Sequence, residues 1–221
     1  MDKKENVLVV ALEERVILVS AEITDELADR FCKELDRFAA KGTDSVRCYI
    51  RSHGGALGAA LYMMQSVDRA PFPVDFVALE RVASAGLLLM QCGRNAYSAG
   101  RTEFDFHRTH QNYRLLEAKT RDVTIGWNEV VDDVWNIAVC DAVMLQRLLR
   151  RADPRAILPL FHHEMAINAH RAKLIGLISG YLHPALVRAD KKAIRCAMRD
   201  SLRKKAAGVA RSTQRKERSP K

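Results

Sequence analysis

Val82-Ala83-Ser84-Ala85-Gly86 runs straight into Leu87-Leu88-Leu89-Met90, so a small-residue turn presents one hydroxyl at the mouth of an apolar helix. A serine hydroxyl is a poor nucleophile until a base takes its proton and something holds the oxyanion that attack creates. A helix start meets part of the second need. Its free backbone N–H groups face an incoming carbonyl oxygen, and Ala85 and Gly86 leave that oxygen room. The same pattern also builds a tightly packed strand-to-helix turn, so the stretch decides nothing without partners elsewhere. A second cluster, His162, His163, Glu164 and His170, has the residue types of a metal site. It lacks His-Glu-x-x-His spacing and has no cysteine partner, so surface histidines are the expectation, with no metal and no cofactor.

The elements that must position Ser84 follow from the apolar pattern. Residues 7–11 and 15–20 are β-branched runs of strand length, and a helical pattern opens at Thr24 or Asp25 with Leu27, Phe31, Leu35 and Phe38 on one face. Lys41-Gly42-Thr43-Asp44 ends it, and Val46 to Ile50 reads as the next strand. That strand breaks into the glycine turn Ser52-His53-Gly54-Gly55, after which Leu57, Leu61, Met64 and Val67 carry helical spacing to Asp68. Val74 to Leu79 is a third strand, leading to Ser84. This alternation predicts an α/β fold of repeated βαβ units with helices packed around a parallel sheet, both sharp turns lying at its carboxyl-terminal edge.

Beyond the Ser84 helix, Asn95 to Ser98 and Glu103 to His107 read as two short strands split by Ala99-Gly100-Arg101. A long helix is expected over Trp127 to Arg151, with Val130, Val134, Ile137, Val143 and Leu148 available for packing. A turn at Asp153-Pro154, a helical segment to about Glu164, a short helix capped by Asn168 and ending at Gly176, and a strand over Leu177 to Leu182 close the body. Past Pro184 comes a basic helix to about Lys205 and then a polar tail expected to be disordered.

The chain has 221 residues, 48% of them hydrophobic, enough for one sizeable core. The division expected is a body over 1–183 and a basic segment over 184–221. The apolar run Val7 to Leu12 is too short for a signal peptide or a membrane span, and the five cysteines form no C-x-x-C pair, which fits a reduced, cytoplasmic compartment. The net charge of +9 is unevenly spread. From Leu186 to Lys221 there are 13 Lys and Arg against 3 Asp and Glu, leaving 23 against 24 in everything before. Such a basic tail attracts nucleic acid or acidic lipid, but no aromatic residue follows Tyr181 to stack on bases, and a solvated tail is the plainer reading.

Taken together, these stretches resemble the proteolytic subunit of the Clp protease family, a self-compartmentalising serine peptidase of the fold shared with crotonases. Leu12-Glu13-Glu14-Arg15-Val16-Ile17-Leu18 is similar to the family's opening strand, and Ile50-Arg51-Ser52-His53-Gly54-Gly55 to its Ile-Asn-Ser-Pro-Gly-Gly turn. Ser84 follows Gly55 by 29 residues, the separation expected in that family. Phe104-Asp105-Phe106-His107 resembles the strand end that carries the catalytic histidine, and Ala169 to Leu182 the closing helix and strand. The resemblance covers about residues 12–183. It implies Ser84 as nucleophile, His107 as base, the backbone N–H groups of Gly55 and Ala85 as the oxyanion donors, and Glu164, in the register of the family's aspartate, as the acid that orients His107. His110 is a rival base, and Glu164 has the alternative of being a solvated surface charge. A ring-forming homo-oligomer acting on peptides or unfolded protein is the assembly implied.

Several positions depart from the family pattern. His53 replaces its proline, and Arg47 and Arg69 fall where aromatic residues of the unfoldase-docking pocket belong, which weighs against an ATP-dependent unfoldase partner. Alternatives are a non-catalytic scaffold or adaptor with a nucleic-acid-binding tail, a crotonase-like acyl-CoA enzyme, and a stand-alone processing peptidase of the same fold.

Overall fold

The computed structural model describes residues 7–107 and 127–217. Strands β1 (Val7–Ala11) and β2 (Val16–Ser20) form an antiparallel hairpin. Helix α1 (Asp25–Ala39) follows, its Thr24 hydroxyl accepting the Leu27 N–H at 3.3 Å, with Asp25 and Glu26 in the first turn and Arg37 in the last. Capping and charges of this sense both favour the helix. Strand β3 (Val46–Ser52), α2 (Leu57–Arg69), β4 (Val74–Ala83), α3 (Ala85–Gln91) and β5 (Asn95–Asp105) come next. Then α4 (Trp127–Leu148), α5 (Pro154–His162), β6 (Ala166–Asn168), α6 (Ala169–Leu174), β7 (Gly180–Tyr181) and α7 (Pro184–Glu217) complete the described chain.

The sheet runs β1-β2-β3-β4-β5-β6, with β7 also pairing with β5. Strands β2 to β5 are mutually parallel, β6 is antiparallel to β5, and β7 is parallel to it. The strands are buried on both faces, and alternate residues divide between two cores, as the period of two requires. Ile17, Val19, Cys48, Ile50, Phe76 and Ala78 join the larger core with α1, α2 and α3. Val16, Tyr49 and Val77 face the smaller core, covered by Ala193 and Ile194 of α7. Asp190 fastens that cover. Its buried carboxylate accepts hydrogen bonds from Arg47 Nε (2.6 Å) and Nη2 (2.7 Å) and from the Tyr49 hydroxyl (2.8 Å). Burial and this carboxylate together push the Tyr49 phenol well above its ordinary range, and the same hydrogen bonding raises Arg47.

Four expectations change. Residues 95–105 are one strand, because Ala99-Gly100-Arg101 forms a bulge and not a break. Ser98 Oγ accepts the Gly100 N–H (3.2 Å) and lies 2.9 Å from Thr102 Oγ1, which donates to Ala78 O (3.2 Å), so the irregular backbone stays satisfied. β4 likewise runs unbroken to Ala83. Leu177 and Ile178 are buried as coil, so only Gly180–Tyr181 pairs as strand, while the three-residue β6 was not anticipated. Finally, α7 continues past Lys205 to Glu217, so the segment expected to be disordered is helical that far, as a run rich in Ala, Lys and Arg without proline favours. His110 and the side chains of Val130, Val134 and Ile137 lie outside the described residues. Among those described, no helix is long and apolar enough to cross a membrane.

Removing one partner of a buried ion pair leaves the other charge uncompensated. Asp190→Ala is expected to cost about 3 kcal/mol, read as a lower urea midpoint, whereas Asp200→Ala on the exposed side of α7 leaves it nearly unchanged. Burial raises the Cys32, Cys48, Cys92 and Cys140 thiols, while Cys196 is exposed. Maleimide at neutral pH should therefore modify Cys196 first, and raising the pH toward 9 should bring up the other four only slowly; mass mapping of the adducts checks this.

Candidate active site

Ser84 sits where β4 ends and α3 begins, at φ 51° and ψ −128°. A positive φ is strained for a residue with a Cβ, by about 1–3 kcal/mol, and persists only where the surroundings enforce it. Ser84 is placed as the N-cap of α3, yet its hydroxyl makes no capping hydrogen bond. The side chain is half-buried, and the helix bonds instead through the Ser84 carbonyl, which accepts from Leu87 N (2.8 Å) and Leu88 N (3.3 Å). Neither bond uses the N–H groups of Ala85 and Gly86.

The glycine turn at the end of β3 closes on this serine from the neighbouring strand. Gly54, at φ +100°, lies so close that a Cβ there would stand 2.6 Å from Ser84 Cβ and 3.1 Å from Ser84 Oγ. Its N–H donates to Ser52 Oγ (3.1 Å), and its carbonyl accepts from Ile23 N (2.8 Å). Gly55, at φ +141°, would drive a Cβ to 2.2 Å from Ile23 O, the carbonyl that already accepts from Ala56 N. Gly55 is itself exposed, with a backbone N–H that none of these bonds uses. On the far side of the turn, Gly86 leaves only 3.3 Å between a notional Cβ and Ser52 Cβ, so the start of α3 is seated against the end of β3.

His107 and Glu164 reach the same end of the sheet through β5. In the parallel β4–β5 ladder Ala83 pairs with Asp105, and Ser84 N donates to Asp105 O at 3.4 Å. His107 is two residues further on and partly exposed. In the antiparallel β5–β6 ladder Asp105 pairs with Ala166, and the bond from Phe106 N to Met165 O (3.1 Å) carries the register one step onward. There the ladder ends, with His107 next after Phe106 and Glu164 next before Met165. Glu164 is exposed, at φ 53°, in the turn between α5 and β6.

Of the other residues singled out by sequence, His53 is exposed beside Gly54. His162 and His163 stack edge to face at 4.9 Å, and His170 lies in α6. Among the described residues no group of three His, Cys, Asp or Glu side chains is placed to hold a metal ion. Two neighbours of the site were not anticipated. Ser52 ties the glycine turn, a role that a hydroxyl two residues before Gly54 hints at. Asp105 receives the Ser84 N–H and holds Arg81, which also pairs with Glu103 at 3.3 Å; only strand pairing reveals this.

Comparison with known proteins gives the family and the fold. The family model described as Clp protease matches residues 2–182. ATP-dependent Clp protease proteolytic subunit 1 of Mycobacterium tuberculosis is 31% identical over 83 residues, 37% of this chain and 42% of that protein. Proteolytic subunit 3 of Rhodococcus jostii is 35% identical over 81 residues, 36% of this chain and 40% of that protein. The matched stretch thus spans less than half the length of these curated relatives. Among solved structures, a mutant ClpP1 from Listeria monocytogenes superposes with TM-score 0.60 at 18% identity, covering 78% of this chain and 93% of its own. The ClpP protease catalytic domain from Plasmodium falciparum gives 0.58 at 17%, covering 78% and 87%.

Gly100 also has a positive φ, +145°, but open space where a Cβ would go. Gly100→Ala thus meets backbone strain alone, whereas Gly55→Ala meets strain and a clash with backbone. Gly55→Ala is expected to destabilise by more than about 1 kcal/mol and by clearly more than Gly100→Ala. Equal urea midpoints for the two variants would contradict the tight seating of the turn.

Proposed function

The chain belongs to the Clp protease family, and from that premise we propose that it is a serine peptidase that cleaves peptides or unfolded protein through Ser84, His107 and Glu164. The register of β5 supports this reading: Ser84 N donates to Asp105 O, two residues before His107, and Phe106 N donates to Met165 O, the residue after Glu164. His107 takes the proton from Ser84 Oγ as that oxygen attacks the substrate carbonyl carbon, and the oxyanion is held by the N–H groups of Gly55 and Ala85. His107 then passes the proton to the leaving amine as the C–N bond breaks. A water, deprotonated by His107, releases the acyl group from Ser84. Glu164 orients the imidazole, a role a carboxylate one methylene longer than aspartate fills in other hydrolases.

A homo-oligomeric ring enclosing the sites is part of this proposal. The relatives are named as ATP-dependent, but Arg47 is committed to Asp190 here, which disfavours an apolar docking pocket for an unfoldase at that position. The crotonase-like alternative shares a pair of N–H donors but leaves the uncapped hydroxyl of Ser84 without a purpose.

Labelling of the pure protein by a fluorophosphonate probe tests the nucleophile. Ser84→Ala and His107→Ala are expected to reduce the labelling rate on the order of 10³-fold or more, and Glu164→Gln by about 10²–10⁴. A folded wild type that stays unlabelled, together with a melting temperature raised by acyl-CoA ligands, would move the assignment to the crotonase-like chemistry.

A further inference from the structure

Helix α7 has two unlike faces. Val187, Asp190, Ala193 and Ile194 are buried against the sheet. Arg188, Lys191, Lys192, Arg195 and Arg199 are all exposed and recur at spacings of three, one, three and four, which keeps them on one side of the helix. They line a shallow recess of about 470 Å³ together with Cys196 and no acidic residue. The nearby acids are drawn elsewhere: Asp190 is held by Arg47 and Tyr49 beneath the helix, and Asp200 borders the groove beside β1. The row covers about 16 Å of helix, on a chain whose residues before Leu186 carry nearly balanced charge.

We propose that this face of α7 is a docking surface for the phosphate backbone of nucleic acid. Duplex DNA carries one negative charge per about 1.7 Å of its axis, so a straight rod of five cations meets several phosphates at once and releases their counterions. A bilayer fits less well, because the helix has turned Val187, Ala193 and Ile194 inward, and the exposed Met198 and Leu202 lie toward one end of the cation row and not along it. Without aromatic residues among the cations, recognition rests on backbone charge and not on base sequence. The site requires neither Ser84 nor His107, so it stands or falls apart from the peptidase reading.

Fluorescence anisotropy of a labelled 20-base-pair duplex, titrated with the full chain at several salt concentrations, tests the proposal. Binding is expected whose log–log salt slope is about −3 or steeper and which is indifferent to sequence. The triple variant Lys191→Glu, Lys192→Glu, Arg195→Glu should weaken it tenfold or more and flatten the slope, with an unchanged circular dichroism spectrum and melting temperature. As a second readout, bound duplex should slow maleimide modification of Cys196, which lines the same recess. Absence of duplex binding at 50 mM salt would overturn the proposal. So would binding that the triple variant retains in full, or binding confined to phosphatidylglycerol vesicles or polyglutamate.

Discussion

Strand β5 is the ruler on which the site is measured. It hydrogen-bonds β4 along one side and both β6 and β7 along the other, and a strand register is fixed to the residue because a slip of one turns every side chain to the opposite face. A slip of β5 against β4 would invert Phe104 and Phe106, both fully buried, so the core itself forbids it. Asp75 reinforces the lower end, accepting from Arg94 and Asn95, and Arg81 with Asp105 the upper. The bulge at Ala99 to Arg101 lies between these pins and sets the phase in which Ala83 meets Asp105. What looks like an irregularity in the strand is therefore part of how Ser84 comes to lie beside Asp105.

Much of the site was legible because it is local. A strand, a small-residue turn and an apolar helix announce Ser84, and two adjacent glycines announce a backbone that a side chain could not follow. What sequence does not disclose is which glycine does what: Gly54 is packed on Ser84, whereas Gly55 is packed on Ile23. Ala99-Gly100-Arg101 reads as a break because glycine and polar residues interrupt a strand pattern. The ladder survives through hydroxyl contacts to Ala78, twenty-odd residues away in sequence. The strand assigned to Leu177 to Leu182 fails for a related reason, since an apolar run reports burial and not hydrogen bonding. Leu177 and Ile178 are buried without a ladder.

The basic C-terminal segment was the least legible part. Composition separates it from the body, but Asp190 reaches Arg47 and Tyr49 across more than 140 residues, and nothing in local spacing foretells that contact. The result is a helix with a division of labour: one side belongs to the hydrophobic interior, the other keeps its charge in solvent. A boundary drawn at Pro184 would separate the sheet from residues that share its smaller core.

That shared core also bears on how the molecule is made. Val9, Ala11, Val16, Tyr49 and Val77 belong to strands translated early, whereas Ala193 and Ile194 leave the ribosome only after β7 has passed. Until then the growing chain can complete its larger core around α1, α2 and α3 but carries an apolar sheet face with no cover. The nascent protein thus passes through an interval in which that face, and not the sheet edge that holds Ser84, is its stickiest surface, and the last helix to arrive ends the exposure.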